Sequence, residues 1–214
     1  MVVSYTIQAE IIDLQRDSPQ PEDVFLVDTN VWYWLTYPPA SSSAKSYQTT
    51  SYPNYVAAAF NCGSRLCYSG LSLAELSSLI ERSEYKLSSY SAPPPNSSQR
   101  TPPIANPKEY RHNYASARAN VVAEVQAAWG LVASDGDLVE LRVDAIAAAE
   151  ALNCFQASKA DGYDLLLIEA MRQNSVTKVI TDDGDYSTIF GIQVFTANRN
   201  VINAANNQGK LRVK

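Results

Sequence analysis

Six carboxylates are placed where they could do chemistry: Asp28, Glu75, Asp164 and the run Asp182-Asp183-Gly184-Asp185. Each stands where an apolar, strand-like stretch ends or a helix begins. Val24-Phe25-Leu26-Val27 stops abruptly at Asp28-Thr29-Asn30, and Val179-Ile180 stops at Thr181-Asp182-Asp183. Ligands of an open parallel sheet bind beyond the carboxyl ends of its strands, so acids at two such ends can converge. Carboxylates brought together repel unless a cation neutralises them. The pattern points to a Mg2+ or Mn2+ site built from oxygen ligands, with Asp28, Asp164, Asp183 and Asp182 as candidates.

Every one of these acids also has a purely structural reading. Asp28 could cap the helix that follows it. Glu75 could complete an S-x-x-E capping box with Ser72. Asp164 could complement the dipole of the helix it opens, and Asp182 to Asp185 could be a plain turn. The joint order of the four positions, more than any one alone, carries the functional reading.

The elements that would position them alternate in type. A strand at 24–28 leads into a helix from Val31 that cannot pass Pro38-Pro39. Residues 40–52 read as loop, Asn54 to Asn61 as a short helix, Arg65 to Tyr68 as a strand, and Leu73 to Tyr85 as a helix. Residues 86–107 are an insertion rich in Pro and Ser. Beyond it, Lys108 to Leu131 reads as a long helix and Leu138 to Val143 as a half-exposed strand. Helices follow at Ala145 to Phe155 and Tyr163 to Gln173. Strands at Lys178 to Thr181 and Gln193 to Thr196 enclose a short turn, Ser187 to Phe190. A weak helix runs from Asn198 to Asn206. Such alternation predicts an α/β fold with a mainly parallel central sheet. It also predicts a lead-in at 1–23, one domain at 24–206 and a tail at 207–214.

Composition narrows the function classes. The 214 residues suit one domain. No apolar run is long enough to span a membrane, and Met1 to Asp13 lacks the pattern of a signal peptide. Cys62, Cys67 and Cys154 form no CxxC, which suits reduced thiols and a cytoplasmic location. A zinc site from Cys62, Cys67 and His112 would match no finger spacing. A net charge of −5 argues against a broadly basic nucleic-acid surface, although a local rim of Lys86, Arg100, Lys108, Arg111 and Arg118 could touch phosphate or simply be solvated. Trp32, Tyr33 and Trp34 could stack on a base or fill the core. His112 reads as structural or exposed. A dehalogenase-like phosphatase needs D-x-D after its first strand, and Asn30 stands at the second place. A receiver domain needs a lysine after a strand that Lys178 instead precedes.

Four segments together resemble the PIN domain family: Val27-Asp28-Thr29-Asn30-Val31, Leu73-Ala74-Glu75-Leu76, Tyr163-Asp164-Leu165-Leu166-Leu167-Ile168-Glu169-Ala170 and Ile180-Thr181-Asp182-Asp183-Gly184-Asp185-Tyr186. Val143-Asp144 and the helix after it look like the region before the third acid of VapC-type toxin ribonucleases. The resemblance covers roughly residues 24–85 and 108–206, and the Pro/Ser-rich stretch departs from it. It implies a three-layer α/β/α sandwich and a metal-dependent endoribonuclease. Asp28, Glu75, Asp164 and Asp183 would be the catalytic acids, with Asp183 preferred over Asp182 as the fourth. Asn30, Thr181 and Asp185 would support ligands or touch phosphate. The partners it implies are an RNA substrate and, because many relatives have them, a small antitoxin protein and a second copy of the chain. The alternative is a non-catalytic PIN-like module that binds RNA or protein.

Prolines and small polar residues bury too little apolar area to offset the entropy of ordering them. Shortening the chain within residues 88–106 is therefore expected to leave the melting temperature nearly unchanged. A deletion there that abolishes folding would show the stretch to be an integral layer.

Overall fold

The computed structural model describes residues 4–90 and 106–212. Among the described residues the chain forms seven strands in one sheet: β1 (Glu10–Asp13), β2 (Val24–Val27), β3 (Arg65–Ser69), β4 (Asp137–Val139), β5 (Lys178–Ile180), β6 (Gln193–Thr196) and β7 (Leu211–Arg212). Their order is β4-β3-β2-β5-β6-β1-β7, and every pairing is parallel. Eight α-helices are seen among the described residues: α1 (Thr29–Thr36), α2 (Ser46–Cys62), α3 (Leu71–Tyr90), α4 (Pro107–Asn113), α5 (Ala115–Asp135), α6 (Ala145–Ala157), α7 (Asp164–Gln173) and α8 (Arg199–Asn207). The architecture is a three-layer α/β/α sandwich.

The period of two along each strand builds both interfaces at once. Phe25, Val27, Leu66, Tyr68, Ile180 and Phe195 face the layer of α1, α2, α3 and α5, where Trp32, Tyr52, Leu76 and Ile80 meet them. The intervening Leu26, Cys67, Val179 and Val194 face the opposite layer, with Leu167, Met171 and Tyr186. Strands covered on both faces read as unbroken apolar runs, which is why 24–27 is so plain in the sequence.

From β2 the chain moves outward to β3 and β4, then returns to the other side of β2 as β5 and β6. The direction of winding therefore reverses between β2 and β5, and a crevice opens beyond their carboxyl ends. Asp28 follows β2 directly, and Thr181 follows β5 directly.

Several boundaries differ from the sequence expectation. The sheet extends past 24–206 on both sides: the lead-in supplies β1, an internal strand between β6 and β7, and the tail supplies β7. The acidic ends of β1 hid it, and those ends are paired. Asp13 accepts from Arg199 at 2.9 Å, and Glu10 accepts from Gln193 at 2.8 Å and pairs with Arg212. The expected loop at 40–52 ends instead in the first turns of α2, which starts at Ser46 and carries Pro53 inside it. An interior proline costs a helix about 3 kcal/mol. Burial of Tyr52, Tyr55, Val56 and Ala59 offsets that cost. The insertion expected at 86–107 is narrower, because α3 runs on to Tyr90 and Pro107 opens α4 with Asn106 as its cap. Residues 91–105, including Arg100, lie outside the described residues. The long helix expected at 108–131 is two helices, and strand pairing of β4 stops at Val139. Cys62, Cys67 and Cys154 are free thiols. Among the described residues no helix is long and apolar enough to cross a membrane.

One hydroxyl joins α2 to the ends of β5 and β6. The Tyr52 phenol, fully buried, donates to Asp182 Oδ1 at 2.7 Å and lies 3.1 Å from the Thr181 carbonyl. It also lies 3.0 Å from Thr196 Oγ1 and accepts the Ala197 N–H at 3.0 Å. Removing this oxygen leaves a buried N–H and a carboxylate oxygen without a partner. Tyr52→Phe is expected to cost about 2–4 kcal/mol in urea unfolding. A cost within experimental error of zero would show that the hydroxyl fastens nothing.

Candidate functional site

Four carboxylates from four separate elements meet at the crevice. Asp28 stands between β2 and α1, Glu75 in the second turn of α3, Asp164 at the start of α7, and Asp183 in the loop after β5. The strongest charges felt by Asp164 are those of Asp28 and Asp183, followed by Glu75. Asp28 feels Glu75 and Asp183, and Glu75 feels Asp183. Among the described residues no Lys or Arg forms an ion pair with any of the four.

The structural readings of these acids account for position, with Asp164 in the first turn of α7 as the dipole favours, and not for side-chain contacts. Asp28 occupies the N-cap position of α1, but its side chain makes no capping hydrogen bond and the Asn30 N–H exerts only a weak pull. Its Oδ2 accepts from the Thr181 hydroxyl at 2.7 Å. Glu75 is no partner of Ser72 in a capping box: its Oε2 accepts from Thr29 on α1 at 2.5 Å. Ser72 lies inside α3 with its buried hydroxyl unpartnered among the described residues. Asp164 caps nothing and accepts from the Tyr186 phenol at 3.1 Å. Asp28, Glu75 and Asp164 are thus each held by one hydroxyl, with the weak pull of the Asn30 N–H added at Asp28.

Adjacent residues of the β5 loop have different fates. Asp183 Oδ1 accepts the Asp185 N–H at 2.8 Å, and the Asp183 N–H donates to Thr181 Oγ1 at 2.9 Å. Thr181, fully buried, therefore ties Asp28 and Asp183 together. Asp182 turns the other way. Its carboxylate is filled by Tyr47, Gln48 and Tyr52 of α2, at 3.0, 2.7 and 2.7 Å. Its carbonyl accepts from Asn198 at 2.9 Å. Asp182 is thus a structural lock, contrary to its expected place among the metal ligands. Asp185 is half-buried behind Asp183 and feels Asp183 and Asp161. Asn30 is half-buried in the first turn of α1, with its amide in no hydrogen bond to the described residues.

Other expected contacts fall differently. Trp32 and Tyr33 are core residues, and Trp34 is half-buried against Tyr52. Arg111 and Arg118 both pair with Glu81, which spends their charge locally. Lys86, Lys108 and His112 are exposed. Sequence reasoning missed Thr29 and Tyr186 as donors, and Tyr5 altogether. A Cβ on Gly184 would stand 2.2 Å from the Tyr5 ring, so glycine is required where that ring crosses the acidic loop. Tyr186 did carry a signal, since it follows the acidic run directly.

The electrostatics record the crowding. Burial, with the charges of Glu75 and Asp183, pushes Asp28 from 3.8 up to about 7 against the pull of Thr181. Burial, then Asp28 and Asp183, pushes Asp164 up to about 8. Burial also raises Glu75 and Asp185. Among the described residues no three Asp, Glu, His or Cys side chains form a ready-made cage for a metal ion. The donor set nevertheless fits a hard divalent cation: oxygens only, no cationic side chain paired to the acids among the described residues, and one oxygen each of Glu75 and Asp164 outside any hydrogen bond to those residues.

No protein-family model matches the chain and no curated protein is significantly similar to it.

The raised acids set a pH dependence. Unfolded, Asp28 and Asp164 lose their protons near 3.8; folded, they hold them to about 7 and about 8. Their contribution to stability is full below pH ~4 and is lost progressively as pH rises from there, until it is gone above the folded values of about 7 and about 8. Asp28→Asn removes one of the crowded charges while keeping size and an acceptor for Thr181. In chelator it is expected to raise stability at pH 8.5 by up to roughly 4 kcal/mol, and by less than half of that at pH 5. An equal effect at both pH values would show that charge crowding is not its origin.

Proposed function

We propose that this protein hydrolyses phosphodiester bonds of RNA with the help of Mg2+ or Mn2+ held by Asp28, Asp164 and Asp183, with Glu75 beside them. The observation that carries this reading is the convergence of four carboxylates at the switch point of a parallel sheet, with no side-chain cation paired to them among the described residues. The order of the four motifs along the chain, which resembles the PIN domain, supports it.

A divalent cation bound there would neutralise charge building on phosphate oxygens and acidify a water. The protein's own part is positioning. Thr181 fixes Asp28 and Asp183 relative to each other, so the ends of β2 and β5 present their acids as a unit. Thr29 holds one oxygen of Glu75 and leaves Oε1 to orient the attacking water and accept its proton. The free amide of Asn30 is a donor for a phosphate oxygen at the start of α1, where the helix N–H groups also point outward. Asp182 takes no part in the chemistry and keeps the loop against α2.

Incubation of the purified protein with a fluorophore-quencher RNA oligonucleotide pool tests this. Cleavage is expected in Mg2+ or Mn2+ and is expected to stop in excess chelator. Asp28→Asn, Asp164→Asn and Asp183→Asn should each lower the rate on the order of 100-fold or more with the fold intact. Asp161→Asn should be mild, because Asp161 is an exposed loop residue that supplies only its carbonyl to the Asp164 N–H at 3.0 Å. Robust cleavage in excess chelator would sink the metal reading. Loss of activity in Asp161→Asn with retention in Asp164→Asn would move the third acid by one turn.

A further inference from the structure

Asp164 has a local use that it does not take. A carboxylate in the first turn of a helix can turn back onto the free N–H groups of that helix, where the dipole also favours it. Here α7 has no side-chain cap, and Asp164 Oδ1 instead accepts the Tyr186 phenol at 3.1 Å. Tyr186 lies on the 3-10 turn Asp185–Thr188, directly after the loop that supplies Asp183. Its side chain is 0% exposed and belongs to the core layer that contains Leu167, Met171 and Val194. A ring so confined cannot follow a rotating carboxylate; it can only hold one orientation of it. The charges acting on the phenol are those of Asp164, Asp28 and Glu75. The hydroxyl therefore stands beside three of the four acids while donating to one.

We infer that Tyr186 is a positioning residue: its hydroxyl holds Oδ1 of Asp164 so that Oδ2 faces the space shared with Asp28, Glu75 and Asp183. This inference rests on the metal reading of the site. Its consequence is that one segment, 183–186, both supplies the fourth acid and sets the direction of the third. Without the hydroxyl, Asp164 is free to fold back over its own helix N-terminus, and the cluster keeps three aimed carboxylates. The cation would then lose part of its holding charge although every acid is still present. Groups that orient ligands in this way typically cost 10–100-fold in metal affinity when removed.

Tyr186→Phe keeps the ring and its packing and deletes one O–H. The test titrates Mn2+ into the purified wild type, Tyr186→Phe, Asp164→Asn and the double variant. Free Mn2+ is read by electron paramagnetic resonance, and melting temperatures are measured in chelator. Tyr186→Phe is expected to bind Mn2+ about 10-fold more weakly than the wild type. In the Asp164→Asn background the same change is expected to have no further effect on Mn2+ affinity. A purely structural role would change the melting temperature in chelator and leave Mn2+ affinity alone. Equal Mn2+ affinity in wild type and Tyr186→Phe overturns this role and leaves the metal reading standing. A loss of the same size in the Asp164→Asn background also overturns it, because the hydroxyl would then not act through Asp164. A wild type that binds no Mn2+ overturns the metal reading and this inference together.

Discussion

Burial of like charges side by side is the constraint around which the crevice is built. Burial first, and then the charges of neighbouring acids, raise the proton affinity of Asp28, Glu75 and Asp164, and no cationic side chain among the described residues is paired to them or to Asp183. Left to relax, such groups would swing apart or turn to backbone amides nearby. Three hydroxyls prevent this: Thr181 for Asp28, Thr29 for Glu75 and Tyr186 for Asp164. A hydroxyl suits the task better than a lysine would. It fixes direction and satisfies one oxygen without cancelling the charge that a cation needs. The net effect is a cluster of buried acids that costs the fold some stability once they ionise, a form of local strain common at functional sites.

The sheet makes the arrangement possible. Because the winding reverses between β2 and β5, their carboxyl ends are adjacent while the segments that follow pack in opposite layers, α1 in one and the turn Asp185–Thr188 in the other. Backbone pairing sets the height of each acid: Leu26 pairs with Val179 and Val27 with Ile180, so Asp28 and Thr181 come level at the rim. The Asp28 N–H continues the ladder by donating to the Ile180 carbonyl at 3.1 Å. The Thr181–Asp28 hydrogen bond is thus a side-chain extension of strand pairing, which accounts for its full burial. The separation of 153 residues along the chain is bridged by a single register.

That bridging explains what was legible in the sequence. The acids were visible because each ends an apolar run or opens a helix, and the runs themselves were visible because β2 and β5 are covered on both faces. The donors were not visible, since Thr29 and Glu75 meet across 46 residues and Thr181 and Asp28 across 153. No spacing rule encodes such distances. Strand β1 escaped because Glu-Ile-Ile-Asp reads as polar at both ends, and only its partners Arg199, Gln193 and Arg212 make those ends acceptable inside a sheet. The first turns of α2 escaped because Ser, Thr and Tyr before a proline look like loop. Their helical state follows from tertiary hydrogen bonds to Asp182, which no local pattern contains.

Asp182 and Asp183 show how side-chain direction separates residues that composition makes equivalent. Both are half-buried acids in one short loop. Thr181 turns inward to Asp28, Asp182 turns to α2, and the backbone N–H of Asp183 returns to the Thr181 hydroxyl. Three donors consume the oxygens of Asp182, whereas Asp183 spends one oxygen on the Asp185 N–H. A cation competing for Asp182 would have to displace neutral donors that already satisfy it; competing for Asp183 it meets an oxygen whose surroundings are other anions. The difference in what each would gain from a cation, rather than any difference in the residue itself, makes one a lock and leaves the other open to a ligand. The lock in turn serves its neighbour: by fastening the loop to α2 and, through Asn198, to the start of α8, Asp182 denies Asp183 the freedom to retreat from the other acids.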